Sequence, residues 1–299
     1  MLSAELLSEY QTLTQGAGYV DVSNRTKLEF RGDDRVTFLH NFCTNDIKRL
    51  PPGQHCEAFV CDVKGHTLGH ISIYCEEAAL WIDTVPNQAA KLLAHWDRYL
   101  IREKVEMFDH TGENGALLLL GSQIPEKLAS LRDSLAGVIR PWLLASVQLL
   151  TFPIAEQSRV EANLQSANIR ACSAAAWEMV RMEAGLPQYG IDINQENLPQ
   201  EVGRDRLAIS FTKGCYLGQE TVARIDALGH VNKTLRGLEL MEDTLPTPGT
   251  ELSAEGKVVA WLTSVGWSPQ RKKTIALGYV RRGFDKIGTM IGTAQVVEL

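Results

Sequence analysis

Hydrophobic and polar positions switch between two periods along this chain. Leu2, Leu6, Leu7, Tyr10 and Leu13 recur at helical spacing, and the run stops at Gly16 and Gly18. Val20 to Val22 and Lys27 to Phe30 alternate in the manner of strands. Gly32-Asp33-Asp34 then supplies a turn and cap for a helix through Val36, Phe38, Leu39 and Phe42. From Glu57, two β-rich runs, Ala58 to Val63 and Thr67 to Tyr74, meet at Lys64-Gly65, which predicts a hairpin. Leu80 to Val85 reads as a strand and Ala89 to Leu100 as a helix with Leu92, Leu93, Trp96 and Leu100 inward. Strands follow at Val105 to Phe108 and Ala116 to Leu120, then a helix from Pro125 to Leu135.

Ser173 caps a further helix, SAAAWEMVRMEAGL, that ends at Gly185 and Pro187. Gln188 to Arg204, rich in Gly, Asn and Pro, reads as a loop. Beyond Thr234 the helical spacing disappears, and short strands with glycine turns predict a small closed or sandwich-like β module. Mixed elements with hairpins give an α+β fold. The expected organisation is an α+β region over 1–232, built of two interleaved modules with a hairpin-containing module at about 54–137, followed by a β module over 233–299.

Composition narrows the function classes. Acidic residues outnumber basic ones 36 to 30, so a net charge of −6 argues against a broad phosphate-binding face. The longest apolar runs, such as Gly115 to Gly121, fall far short of the roughly 20 residues that span a bilayer. The first residues carry Glu5 and Glu9 and lack a basic, apolar secretory leader, so the expected address is cytoplasmic, without a membrane partner. Six cysteines without compact spacing fit a reducing compartment. Cys56, Cys61, His66 and His70 cluster in sequence but lack zinc spacing, and no metal site is expected. Arg271-Lys272-Lys273 with Arg281-Arg282 forms a basic spot that reads first as a solvated turn.

The chemistry concentrates in KGCYLGQETVAR, Lys213 to Arg224. Cys215 lies two residues from an ammonium and just before a helix beginning at Gln219, and both features favour thiolate. The competing reading is a small packed side chain between turn glycines. Glu220 reads as a helix-start acid, and Arg224, four residues on, either pairs with it or binds substrate. Trp177 and Glu183 share one helix about 120° apart. They could offer an aromatic face and a carboxylate to a planar heterocycle with N–H groups, or serve as a core residue and a solvated one.

KGCYLGQETVAR, with RMEAGLPQYGIDI before it and LPQE between, resembles the folate-binding YgfZ proteins of iron–sulfur protein maturation, kin of the glycine-cleavage T-protein, an aminomethyltransferase. DVSNRTKLEFRGDDRVTFLHNFCTNDIKRLPPGQ resembles the family's amino-terminal segment, and the tail from Thr234 its β-barrel. The resemblance implies a T-protein-like three-module ring around a folate pocket, with tetrahydrofolate or a one-carbon derivative as cofactor. It implies functional roles for Lys213 and Cys215, a pterin carboxylate at Glu183 and a folate-lining tryptophan at Trp177; Tyr216 and Arg224, in the same segment, are further candidate folate contacts. Iron–sulfur client enzymes are the implied partners, with an indirect link to tRNA modification. A folate-lining aromatic of the bacterial relatives would fall near Arg25, where this chain has none. The transferases' catalytic aspartate has no counterpart either: after Asn87 come Gln, Ala, Ala, Lys and Leu, with no acid before Asp97. Asp83 would need an unexpected register to replace it. The expected function is therefore a folate-dependent maturation helper rather than an aminomethyltransferase, the alternatives being one-carbon transfer and a folate-sensing regulator.

Overall fold

The computed structural model describes residues 2–131, 135–241 and 245–299. The chain forms two compact units. One comprises Met1–Arg35, Leu50–His55 and Ser72–Val180; the other comprises Val36–Arg49, Cys56–Ile71 and Arg181–Leu299.

In the first unit a five-stranded sheet runs in the order Arg170–Ala171, Gly18–Asp21, Asn114–Leu120, Val147–Pro153, Val138–Pro141. Leu117, Leu119, Leu150 and Phe152 on its strands pack with Ile124 and Leu131 of the helix Ile124–Leu131 and Val160 and Leu164 of the helix Gln157–Ser166. The sequence pattern carried the first of these helices to Leu135; residues 132–134 lie outside the described residues. It left 136–172 unassigned, although Val147–Pro153 forms a full ladder with Asn114–Leu120.

A second layer of this unit places Ser72–Cys75 beside Leu80–Thr84, which pairs with Thr26–Arg31 and then Glu106–Asp109. Residues 26–30 of the strand Thr26–Arg31 are buried on both faces, so the polar Lys27 and Glu29 sit inside. Trp96, on the helix Ala89–Asp97, meets Phe30 edge-on at 5.1 Å.

In the second unit the order Glu251–Ala254, Lys257–Ser268, Lys273–Arg281, Lys233–Leu240, Ala294–Val297, Met290–Ile291 makes a nearly closed six-strand barrel sheet around Leu238, Leu262, Ala276, Val280 and Val296. The same unit holds the helix Arg35–Asn41 from Val36 on, the strand His55–Cys61 from Cys56 on, the first half of Thr67–Cys75, and the helix Gln219–Leu228. The expected hairpin is present. Its turn closes with Gly65 N–H on Asp62 O at 3.0 Å, and Asp62 Oδ1 accepts from Lys64 N and His66 N at 2.8 and 2.9 Å.

Candidate functional site

The segment Lys213 to Gly218 is held from both sides. Lys213 is buried, and its ammonium donates to the carbonyls of His40, Cys43 (2.7 Å) and Asn45 (2.7 Å). These carbonyls lie at and just past the end of the helix Arg35–Asn41, where backbone acceptors lack helical partners and a cation is favoured. Nearby, Thr44 Oγ1 donates to Ala208 O at 2.6 Å and accepts from Phe59 N at 2.8 Å, and Asn45 Nδ2 reaches Glu57 O and Leu207 O. Lys213 Nζ also lies 4.8 Å from the centre of the buried Tyr216 ring. The ammonium thus faces inward, onto carbonyls and an aromatic face.

On the other side, Gly218 adopts φ 85° as it caps the helix Gln219–Leu228. A Cβ there would stand 2.6 Å from Asp62 O and 3.0 Å from Gly65 Cα, so the hairpin turn and the start of this helix touch backbone to backbone. Leu217 N–H donates to Asn41 O at 2.9 Å. Cys215 is exposed between these two anchors, and Gly214 beside it meets no neighbour within 4 Å at its Cβ position. The structure therefore presents the thiol on a fixed ledge. Glu220 and Arg224 are exposed on the helix that follows.

Charge under the ledge is arranged around Lys213. His40 is pushed down to about 4 by burial first and then by the Lys213 ammonium. Burial lowers the Lys213 pKa, opposed by the thiol of Cys43 and the carboxylate of Asp46. Burial raises the thiols of Cys43, Cys56 and Cys61, so each stays protonated. Glu57 takes His70 Nε2 at 2.6 Å and the guanidinium of Arg204, and His66 faces Asp62, so both hairpin histidines are matched to carboxylates. Among the described residues no three acidic, histidine or cysteine side chains converge on one point.

Trp177 and Glu183 lie on the helix Ala174–Glu183, which Ser173 Oγ caps through Ala176 N at 3.3 Å. Glu183 Oε1 accepts from Ser268 Oγ and from Gln270 N at 3.1 Å, at the end of the barrel strand Lys257–Ser268. In the first unit, the buried Trp177 packs against Trp142 at 5.6 Å with the rings 59° apart. Trp142 Nε1 donates to Asp83 Oδ2 at 2.9 Å, and Arg25 grips both Asp83 oxygens at 2.8 and 2.7 Å. The Arg25 guanidinium also lies 5.1 Å from the Trp142 ring centre. Where the sequence lacked an aromatic, then, an arginine carries one against it.

The pattern of residues missed Trp142, and it named Asp83 only as an acid that would need an unexpected register. Asp83 points into the unit, 3% exposed, with its oxygens taken by Arg25 and Trp142. The available signal was a charge in a strand otherwise apolar, opposite Lys27 in register. Of the basic spot on the barrel, Lys273 and Arg271 pair with Glu239, and Arg281 lies over Trp261 at 5.2 Å.

The fold is T-protein-like. Residues 2–138 match the GCVT N-terminal domain and residues 233–295 the glycine cleavage T-protein C-terminal barrel domain. The chain is a relative of the glycine cleavage T-protein, with an aminomethyltransferase-like fold. It is 27% identical to the aminomethyltransferase of Symbiobacterium thermophilum over 96% of this chain and 84% of that protein. It is 26% identical to that of Thermosynechococcus vestitus over 95% and 82%. The crystal structure of glycine cleavage system aminomethyltransferase T from Bartonella henselae superposes with a TM-score of 0.88 at 19% identity, covering 98% of this chain and 88% of that one.

Proposed function

We propose that this chain binds a reduced folate and presents the Cys215 thiol to iron–sulfur client enzymes, in the manner of the folate-binding YgfZ proteins. The observation that carries this reading is the ledge: an exposed cysteine between two anchored neighbours, Lys213 and Gly218. Lys213 is a positioning residue in this scheme, because its donors hold the loop that offers the thiol. Trp177 supplies an aromatic face and Glu183 an acceptor for ring N–H groups. The bonds from Ser268 and Gln270 orient that carboxylate, which has about four acceptor positions. Tyr216 acts from beneath the ledge, and Arg224 is placed to meet an anionic part of a ligand or client.

The carboxylates present speak against aminomethyl transfer to the bound folate. Asn87 to Leu93 carry no carboxylate, and the buried acid of the preceding strand, Asp83, is committed to Arg25 and Trp142. A transfer reaction needs a group to exchange protons or stabilise charge at the migrating carbon. In cells lacking the native gene, Cys215→Ser should abolish rescue while the purified variant keeps its fold; full rescue would remove the thiol from the mechanism. Tetrahydrofolate should quench tryptophan fluorescence, and Trp177→Phe and Glu183→Gln should each weaken binding about tenfold, a change of roughly 1.4 kcal/mol.

The second reading, one-carbon transfer to tetrahydrofolate, is favoured by the relatives, which are aminomethyltransferases. It predicts methylene-tetrahydrofolate formation when a lipoyl partner protein is supplied. A folate-sensing regulator, by contrast, predicts tight folate binding with full rescue by Cys215→Ser.

A further inference from the structure

Within the first unit lies a cavity of about 160 Å³, with Lys27, Tyr74, Trp81, Asp83, Arg140 and Phe152 among its walls. The volume is well below the roughly 300–1,000 Å³ of pockets for larger ligands. Its polar lining is unusual for so small a space. Lys27 is 3% exposed, and its ammonium donates to two neutral acceptors, Ser23 O and Arg25 O, both at 2.8 Å. An ammonium has three donors, so one is left over. The carboxylate opposite it in the ladder, Asp83, is matched to the Arg25 guanidinium rather than to Lys27.

Two hydroxyls on the neighbouring strand, those of Tyr74 and Ser72, have only each other. Tyr74 is 4% exposed and Ser72 0% exposed, and neither Oη nor Oγ has a hydrogen-bond partner of regular geometry. Arg140 closes one side. Its Nη1 donates to Thr151 Oγ1 at 2.5 Å, its Nη2 reaches Glu76, and its guanidinium lies 5.5 Å from the Tyr74 ring centre and 5.8 Å from that of Trp81. A buried ammonium with an unused N–H, whose favouring carboxylate Asp83 is already held by Arg25, is costly, as are buried hydroxyls that have only each other, and one kind of occupant relieves both.

We propose that this cavity is a binding site for a small carboxylic acid. Its carboxylate takes the remaining Lys27 N–H and the Tyr74 hydroxyl, and the rings of Trp81 and Phe152 cover its apolar part. Lys27, Arg25 and Arg140 against Asp83 and Glu76 leave one net positive charge around the cavity, which disfavours a cation and which a neutral molecule would not match. A pterin with its tail exceeds the space, so the proposal does not rest on the folate reading.

Benzoate is a suitable probe, titrated calorimetrically into the full chain beside benzamide and benzylamine. Benzoate should bind saturably with one site per chain, and the neutral and cationic analogues at least about tenfold more weakly. Lys27→Met and Tyr74→Phe should each weaken benzoate about tenfold. Lys27→Met leaves the carbonyls of Ser23 and Arg25 without a donor and should lower stability, so its binding is measured under conditions where the variant is folded; Tyr74→Phe keeps the ring and serves as the second, milder variant. Saturating tetrahydrofolate should leave benzoate affinity unchanged. The proposal is overturned by absence of saturable benzoate binding, by equal binding of benzamide, by unaltered benzoate affinity in both variants, or by competition with tetrahydrofolate.

Discussion

Lys213 shows how a residue that looks like an activating cation can be recruited to hold backbone. Its three donors meet the carbonyls of His40, Cys43 and Asn45. Replacing it by methionine leaves those buried acceptors unsatisfied and should cost about 3 kcal/mol in urea denaturation. The alkylation rate of Cys215 in the remaining folded protein should then change little; a large fall with stability preserved would instead make Lys213 an activator. His40 gives the ledge a pH dependence. Its folded pKa of about 4 lies below the ordinary value of 6.5, so the unfolded chain binds the extra proton first on acidification. This contribution to stability is complete above pH 6.5 and is lost as pH falls toward 4. His40→Gln should therefore flatten the denaturation midpoint over that interval, whereas an equally steep profile in the variant would assign the acid sensitivity elsewhere.

At the scale of elements, the turn at Gly65 and the helix start at Gly218 form one joint. Both residues have positive φ, and a Cβ on either would meet the other element at under 3.0 Å. Gly218→Ala adds backbone strain of about 1–3 kcal/mol to that collision. It should lower the melting temperature and loosen the segment, read as increased motion of a spin label on Cys215. The sequence marked both glycines as turn residues, because a hairpin turn and a helix start each have local signatures. It could not indicate that the two turns touch, since residues about 150 positions apart are joined only by folding. The strands Val138–Pro141 and Val147–Pro153 went unread for a related reason: short apolar runs without clear alternation are ambiguous until a partner strand pairs with them.

Across the second unit, the barrel is tied to the chain before it by a buried ion pair. Arg181, 2% exposed, donates to Leu186 O, Asp192 Oδ2 and Ser264 Oγ, and Asp192 also accepts from Thr263, Ser264 and Gln188. Arg181→Met strands a buried carboxylate and should cost about 3–5 kcal/mol, measured by thermal or chemical unfolding. Loss below 1 kcal/mol would mean that Asp192 is satisfied by its hydroxyl and amide donors alone.

The sequence by itself determined the order of most helices and strands, the strand-rich character of the chain beyond Thr234, and the motif around Cys215. These follow from local periodicity, turn chemistry and a specific motif, all carried by neighbouring residues. Closure of the strands beyond Thr234 into a barrel sheet was left open by the pattern and decided by pairing. Tertiary structure decided what the buried charges do. Lys27, Asp83, Arg25 and Lys213 are read from sequence only as charges in strands and loops; packing assigned each its partners, because the cost of burying a charge is met by whichever groups the fold brings alongside. Asp83 became the partner of Arg25 and Trp142, Lys213 an anchor for carbonyls, and Lys27 a cation with a donor to spare.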